Sequence, residues 1–110
     1  NPNPGLISND GYRGRTPLHY AAQQGHLEVV KHLCNLLKNK NPSDDNGITP
    51  LHSAAQQGGI DVVKYLAQFL DNKHPRTGLR WGYRTPLTEA QLFGTKSPGT
   101  TEVINFLKNQ

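Results

Sequence analysis

Thr16-Pro17-Leu18-His19-Tyr20-Ala21-Ala22-Gln23-Gln24-Gly25-His26-Leu27-Glu28-Val29-Val30-Lys31-His32-Leu33 returns 33 residues later. The second copy is Thr49-Pro50-Leu51-His52-Ser53-Ala54-Ala55-Gln56-Gln57-Gly58-Gly59-Ile60-Asp61-Val62-Val63-Lys64-Tyr65-Leu66. A looser third copy opens at Thr85-Pro86-Leu87-Thr88-Glu89-Ala90, 36 residues further on, and closes with Glu102-Val103-Ile104-Asn105-Phe106-Leu107. Self-similarity at a period in this range signals a stacked array, in which each unit buries its apolar face against its neighbours.

Each copy reads as two short helices. Thr16 can cap the first with its hydroxyl, and Pro17 at the first helical position loses no amide bond there. Leu18, Ala21 and Ala22 form a narrow apolar face whose alanines let a paired helix approach closely. Gly25 ends that helix, because a left-handed residue is easy only for glycine. Leu27, Val30, Leu33, Cys34 and Leu37 then recur at helical spacing and predict a second helix from about Leu27 toward Lys38. Glu28 with Lys31, and Asp61 with Lys64, stand at i,i+3 and are expected to pair on the exposed side.

The wording of the unit, TPLHxAA followed by GxxxVVxxL, resembles the ankyrin repeat over nearly the whole chain. The resemblance implies an α fold: a solenoid of three helix-turn-helix repeats joined by β-hairpin loops. One domain is expected over 1–110, with a lead-in hairpin and repeat 1 in 1–40, repeat 2 in 41–73 and repeat 3 in 74–110. The short hairpin of the family falls on 41–48, with Asn46-Gly47 at its turn. Asn3-Pro4 and His74-Pro75 open longer segments, so the outer hairpins exceed the middle one. The third copy carries an insertion, read as a loop within Thr95–Thr100, with Thr101 capping the last helix.

Two core columns change character along the array. Ala22 and Ala55 give way to Gln91, and Cys34 and Ala67 give way to Lys108. A terminal repeat has no neighbour over its outer face, so polar residues belong there. The first copy shows no such change; either Leu6 and Ile7 fold over its open side, or further repeats precede it. The chain begins at Asn1 and holds no methionine, which reads as a piece of a longer protein.

Composition bounds the function. Hydrophobic residues make up 34%, lean enough to suit an elongated stack without a deep centre. The net charge of +4 is spread without a basic tail, no signal-peptide pattern is present, and no apolar run is long enough to span a membrane. One cysteine forms no internal disulfide, so an intracellular, cytoplasmic setting is expected. No nucleophile, phosphate-loop or paired-carboxylate pattern is present, and neither an enzymatic role nor a cofactor is expected.

His19 and His52 occupy one slot in successive units. The resemblance implies that this histidine hydrogen-bonds into the neighbouring hairpin and braces the stack. Thr88 replaces it in the third copy. A shared metal is not expected, because packed helices lie roughly 8–10 Å apart while zinc ligands reach within about 2.0–2.1 Å. Cys34 stands in a core column and is expected to stay protonated and inert.

The resemblance also implies a concave groove that binds protein partners. Its carried-over lining is Tyr12, Arg13, Arg15, Tyr20, Gln23 and Gln24 in the first unit. The second supplies Asp45, Asn46, Ile48, Ser53, Gln56 and Gln57. The third supplies Arg80, Trp81, Tyr83, Arg84, Glu89, Leu92 and Phe93. All five arginines, Arg13, Arg15, Arg76, Arg80 and Arg84, fall in the two long hairpins beside Tyr12, Trp81 and Tyr83. Arginine, tyrosine and tryptophan are the types enriched at binding hot spots. The expected partner is therefore a protein or peptide of acidic character, met by a monomer or by part of a longer chain. Single-stranded nucleic acid, stacked on Trp81 and Tyr83, is the weaker alternative. A purely structural segment of a longer array is the other.

Overall fold

The computed structural model describes residues 14–70, 77, 82, 84–94 and 98–110, apart from the side chains of Phe93 and Pro98. The expectations at Leu6, Ile7, Tyr12, Arg13, Arg76, Arg80, Trp81 and Tyr83, and at the side chain of Phe93, lie outside those residues.

Six helices form, two per unit: α1 (Pro17–Gln24), α2 (Leu27–Leu36), α3 (Pro50–Gln57), α4 (Ile60–Ala67), α5 (Pro86–Phe93) and α6 (Pro98–Lys108). The first helices, α1, α3 and α5, pack side by side in one row. The second helices, α2, α4 and α6, form another row behind them. Ala21, Ala22, Ala54, Ala55 and Ala90 are buried between the first helices, where larger side chains would hold the backbones apart. Leu18, Leu51, Val30, Val63, Leu66, Val103 and Leu107 fill the space between the rows.

Local chemistry sets the helix ends. The hydroxyls of Thr16, Thr49 and Thr85 each accept the amide of the residue three positions on, with proline at the first helical position. Gly25 and Gly58 stop α1 and α3 at φ 73°, a conformation that costs other residues about 1 kcal/mol or more. Gly94 stops α5 in extended form instead (φ −68°, ψ 153°), sending the chain into the longer connection of the third unit.

Several sequence expectations are corrected. The second helix ends at Leu36 rather than near Lys38. Leu37 is extended, and Lys40 Nζ donates to the Leu37 carbonyl at 2.7 Å. The last helix starts at Pro98 rather than after Thr101, because proline's fixed φ suits a first turn. Glu28 and Lys31 pair at 3.5 Å, whereas Asp61, one methylene shorter than glutamate, does not close the equivalent pair with Lys64. Among the described residues no strand forms. The middle hairpin is a tight turn, closed by Asp44 N–H to Ile48 O at 2.8 Å. Asp44 Oδ1 takes the amides of Asn46 (2.8 Å) and Ile48 (3.0 Å), so a side chain replaces the ladder.

The same joint explains the 36-residue spacing before the third unit. Thr77 stands 33 residues after Asp44 and does its work. The Thr77 amide donates to Arg84 O at 2.8 Å, and its hydroxyl accepts the Arg84 amide at 2.8 Å. The repeat keeps its period as far as Thr77, and the extra residues fall between Thr77 and Arg84.

The C-terminal end is polar as expected: Gln91 and Lys108 are exposed, whereas Ala22, Ala55, Cys34 and Ala67 are at most 1% exposed. Replacing Gln91 and Lys108 together with alanine is expected to change stability by less than about 0.5 kcal/mol, the range for surface positions. Chemical denaturation checks this, and a loss above about 2 kcal/mol would show that both side chains are packed.

Candidate interaction surface

The joints between units come first, because they position the loops that flank the row of first helices. His19 Nδ1 accepts the Thr16 amide at 3.0 Å, which leaves the proton on Nε2. Nε2 then donates across the joint to Ile48 O at 2.7 Å. His52 repeats this with the Thr49 amide at 3.1 Å and Arg84 O at 2.8 Å. Each histidine therefore pins the stem of the next loop to the helix before it. The bond partners lie 29 and 32 residues away in sequence. Burial pushes the His19 imidazole below its ordinary pKa; the hydrogen bond to Ile48 opposes this, nearby Arg15 adds to it, and Asp44 opposes it. In the third unit Thr88 meets only its own cap, Thr85, hydroxyl to hydroxyl at 2.9 Å.

Two arginines of the expected groove turn inward. Arg15 is 7% exposed; its Nε faces Asp44 Oδ2 at 3.3 Å and its Nη1 donates to Gln23 Oε1 at 3.1 Å. Arg84 Nε donates to Glu89 Oε1 at 2.6 Å, with little of either side chain exposed. Arg15 thus ties the first unit to the loop of the second, and Arg84 ties its loop to α5. Sequence reading placed both arginines on the surface and did not foresee their pairing with Asp44 and Glu89. The available signal was positional: Arg15 and Arg84 both stand one residue before the capping threonine.

Ile48, Ser53 and Glu89, also read as groove residues, are only 3–5% exposed. Ser53 Oγ is buried without a hydrogen-bond partner. The structure brings a different subset to the surface. Tyr20, Gln23, Asn46 and Gln56 are half-buried, and Gln24, Asp45, Gln57 and Leu92 are exposed. Gln23, Gln56 and Leu92 hold the same position in their units, and Leu92 is 64% exposed where its neighbours are glutamine.

Gly14 matters to the first joint. It sits at φ 79°, a conformation that favours glycine, and a Cβ there would stand 3.2 Å from the Asp45 backbone nitrogen. Beside the second row, lysine ammonium groups lie over aromatic rings. Lys31 Nζ is 5.9 Å from the Tyr65 ring centre and Lys40 Nζ 5.6 Å from that of Phe69. Cys34 is fully buried, and burial raises its thiol pKa, partly offset by Lys40; it is protonated at neutral pH. Among the described residues, no three His, Cys, Asp or Glu side chains gather as metal ligands, and no helix is long and apolar enough to cross a membrane.

Paired helices, a threonine-proline start to each first helix, and a histidine bracing each joint meet a matching family model, ankyrin repeats in three copies, over residues 1–77. The chain belongs to the ankyrin-repeat family. A search among curated proteins finds no match. Ankyrin repeats are protein-protein interaction modules and typically non-catalytic. The third unit of this ankyrin-repeat chain lies mostly beyond the matched residues, and its helix pair α5–α6 continues the stack.

Proposed function

We propose that this ankyrin-repeat stack is a non-catalytic module that binds a protein or peptide along its row of first helices and the adjoining loops. Leu92 carries the reading. It is a large apolar side chain, 64% exposed, at a position where the other two units place glutamine, so packing does not call for it. Tyr20, Gln23, Gln24, Gln56 and Gln57 extend the surface with side chains that can hydrogen-bond, and Asp45 and Asn46 edge it. Tyr12, Arg13, Arg80, Trp81 and Tyr83 would complete it from the longer loops, and Phe93 from the end of α5. Arg15 and Arg84 are left to the internal pairs. An acidic preference then rests on Arg13, Arg76 and Arg80, whose planar guanidinium groups match carboxylates with two parallel hydrogen bonds.

The test starts from a partner retained on the immobilised protein and identified. Leu92→Asp should weaken its binding at least about tenfold, with no shift in thermal midpoint, because the side chain is exposed. Trp81→Ala should cost at least about 2 kcal/mol of binding, the hot-spot threshold. Titration calorimetry reads both. Unchanged binding in both variants, with loss on changing Lys31 or Lys64, would move the site to the second row and end this proposal. Affinity falling steeply with salt, in proportion to phosphates contacted, would favour single-stranded nucleic acid instead.

A further inference from the structure

Gln23, Gln56 and Leu92 hold one position on the three first helices, and the two glutamines differ in what holds them. A guanidinium has only donors, so the atom of Gln23 that meets Arg15 Nη1 at 3.1 Å is its carbonyl oxygen. That contact faces the carbonyl inward and leaves the NH2 of this half-buried side chain turned to the surface. Arg15 is itself fixed, 7% exposed and with Nε at 3.3 Å from the fully buried carboxylate of Asp44. The contacts run from Asp44 through Arg15 to Gln23, from the base of the middle loop to the outside of α1. Gln56 has no such hold. The residue 33 positions after Arg15 is Ile48, whose side chain has no donor. The Gln56 carboxamide can therefore turn either end outward.

We infer that Gln23 reads a hydrogen-bond acceptor on the partner, a carboxylate or carboxamide oxygen placed about six residues along an extended segment from the apolar side chain that meets Leu92. This rests on the binding surface proposed above. A donor already held in place loses little freedom on binding, which favours the contact over the same one at Gln56. Because Asp44 matches the charge of Arg15, what reaches the surface is an oriented dipole, and a neutral carboxamide oxygen satisfies it as a carboxylate does. The spacing follows from the stack. Neighbouring packed helices lie roughly 8–10 Å apart, so Gln23 and Leu92, two units apart, are separated by roughly 16–20 Å. An extended chain advances about 3.3 Å per residue and turns every second side chain to one face, so an even step of about six residues spans the gap. Four residues reach only about 13 Å.

The probe is a random dodecapeptide library displayed on phage and panned on the full chain, with single peptides then measured by titration calorimetry in about 0.15 M salt. Peptides whose binding is lost on Leu92→Asp belong to the surface. They should be enriched in Asp, Glu, Asn or Gln about six positions from an apolar residue. Gln23→Glu keeps an oxygen for Arg15 and removes both outward donors. It should not lower the thermal midpoint, and it should weaken those peptides at least about tenfold, the scale of a lost hydrogen bond to a charged group. Panned afresh, this variant should select lysine or arginine in place of the acceptor. Gln56→Glu puts the same charge one unit away, where salt screens most of it, and should weaken the peptides less than about threefold. Equal weakening by the two variants would mean that charge rather than an oriented amide is at work. An unchanged selection by Gln23→Glu would mean that Gln23 reads nothing. Either result overturns the inference and leaves the surface standing. A library that yields no binder sensitive to Leu92→Asp would overturn the surface and the inference with it.

Discussion

Asp44→Ala will destabilise the stack by about 3–5 kcal/mol, the range for breaking a buried ion pair from one side. The Asp44 side chain is fully buried and each oxygen is engaged. Oδ1 holds the amides of Asn46 and Ile48, and Oδ2 faces Arg15 Nε at 3.3 Å. Truncation opens the turn and takes the Asp44 carboxylate away from the nearly buried Arg15 guanidinium. Asp44→Asn keeps an oxygen for the two amides and loses the charge, so it should cost roughly half as much. Urea denaturation of both variants checks the order. A cost under about 1 kcal/mol for alanine, the value of an exposed pair, would show that the pair is solvated.

His19→Ala is expected to cost on the order of 3–4 kcal/mol, adding the loss of the cross-joint hydrogen bond to Ile48 O, which keeps the Asp44 amide, to the space left by the ring. It should also remove part of the pH dependence. Burial lowers the folded-state pKa of His19, so below about 6.5 the unfolded chain binds the proton more readily than the folded one. The contribution of the neutral ring is therefore fully present above that pH and is lost as pH falls. The parent should lose stability between pH 7 and pH 5.5 more steeply than the alanine variant. Parallel slopes in thermal melts at the two pH values would show that His19 is not held neutral. Asp44 and His19 act on one loop stem, through the amide and the carbonyl of Ile48. The double variant should then cost less than the sum of the singles, as contacting groups do.

The joints explain how the loops sit on so lean a core. Each loop stem is held by a histidine from the preceding unit and by a side chain at its own base, Asp44 or Thr77. Three extra residues can enter between Thr77 and Arg84 without disturbing α5, because the bonds that register the unit lie outside the insertion. Variation in the loops is thereby separated from the stack.

Much of this was legible in the residues. The 33-residue period, the threonine-proline starts and the stops at Gly25 and Gly58 depend on contacts within a turn or two of chain, and local sequence specifies them. The polar end at Gln91 and Lys108 followed from comparing one column across units. Other features depended on groups far apart along the chain. Whether Arg15 faces a partner or Asp44 is decided by a residue 29 positions away and by the closeness of two loops. Ser53 and Glu89 read as surface by analogy and are buried because α3 and α5 pack against neighbouring helices. Sequence alone determined the repeat, its helices and its polar end. The tertiary structure decided which charges are internal and which side chains remain for a partner, because those depend on distances between units that no single repeat contains.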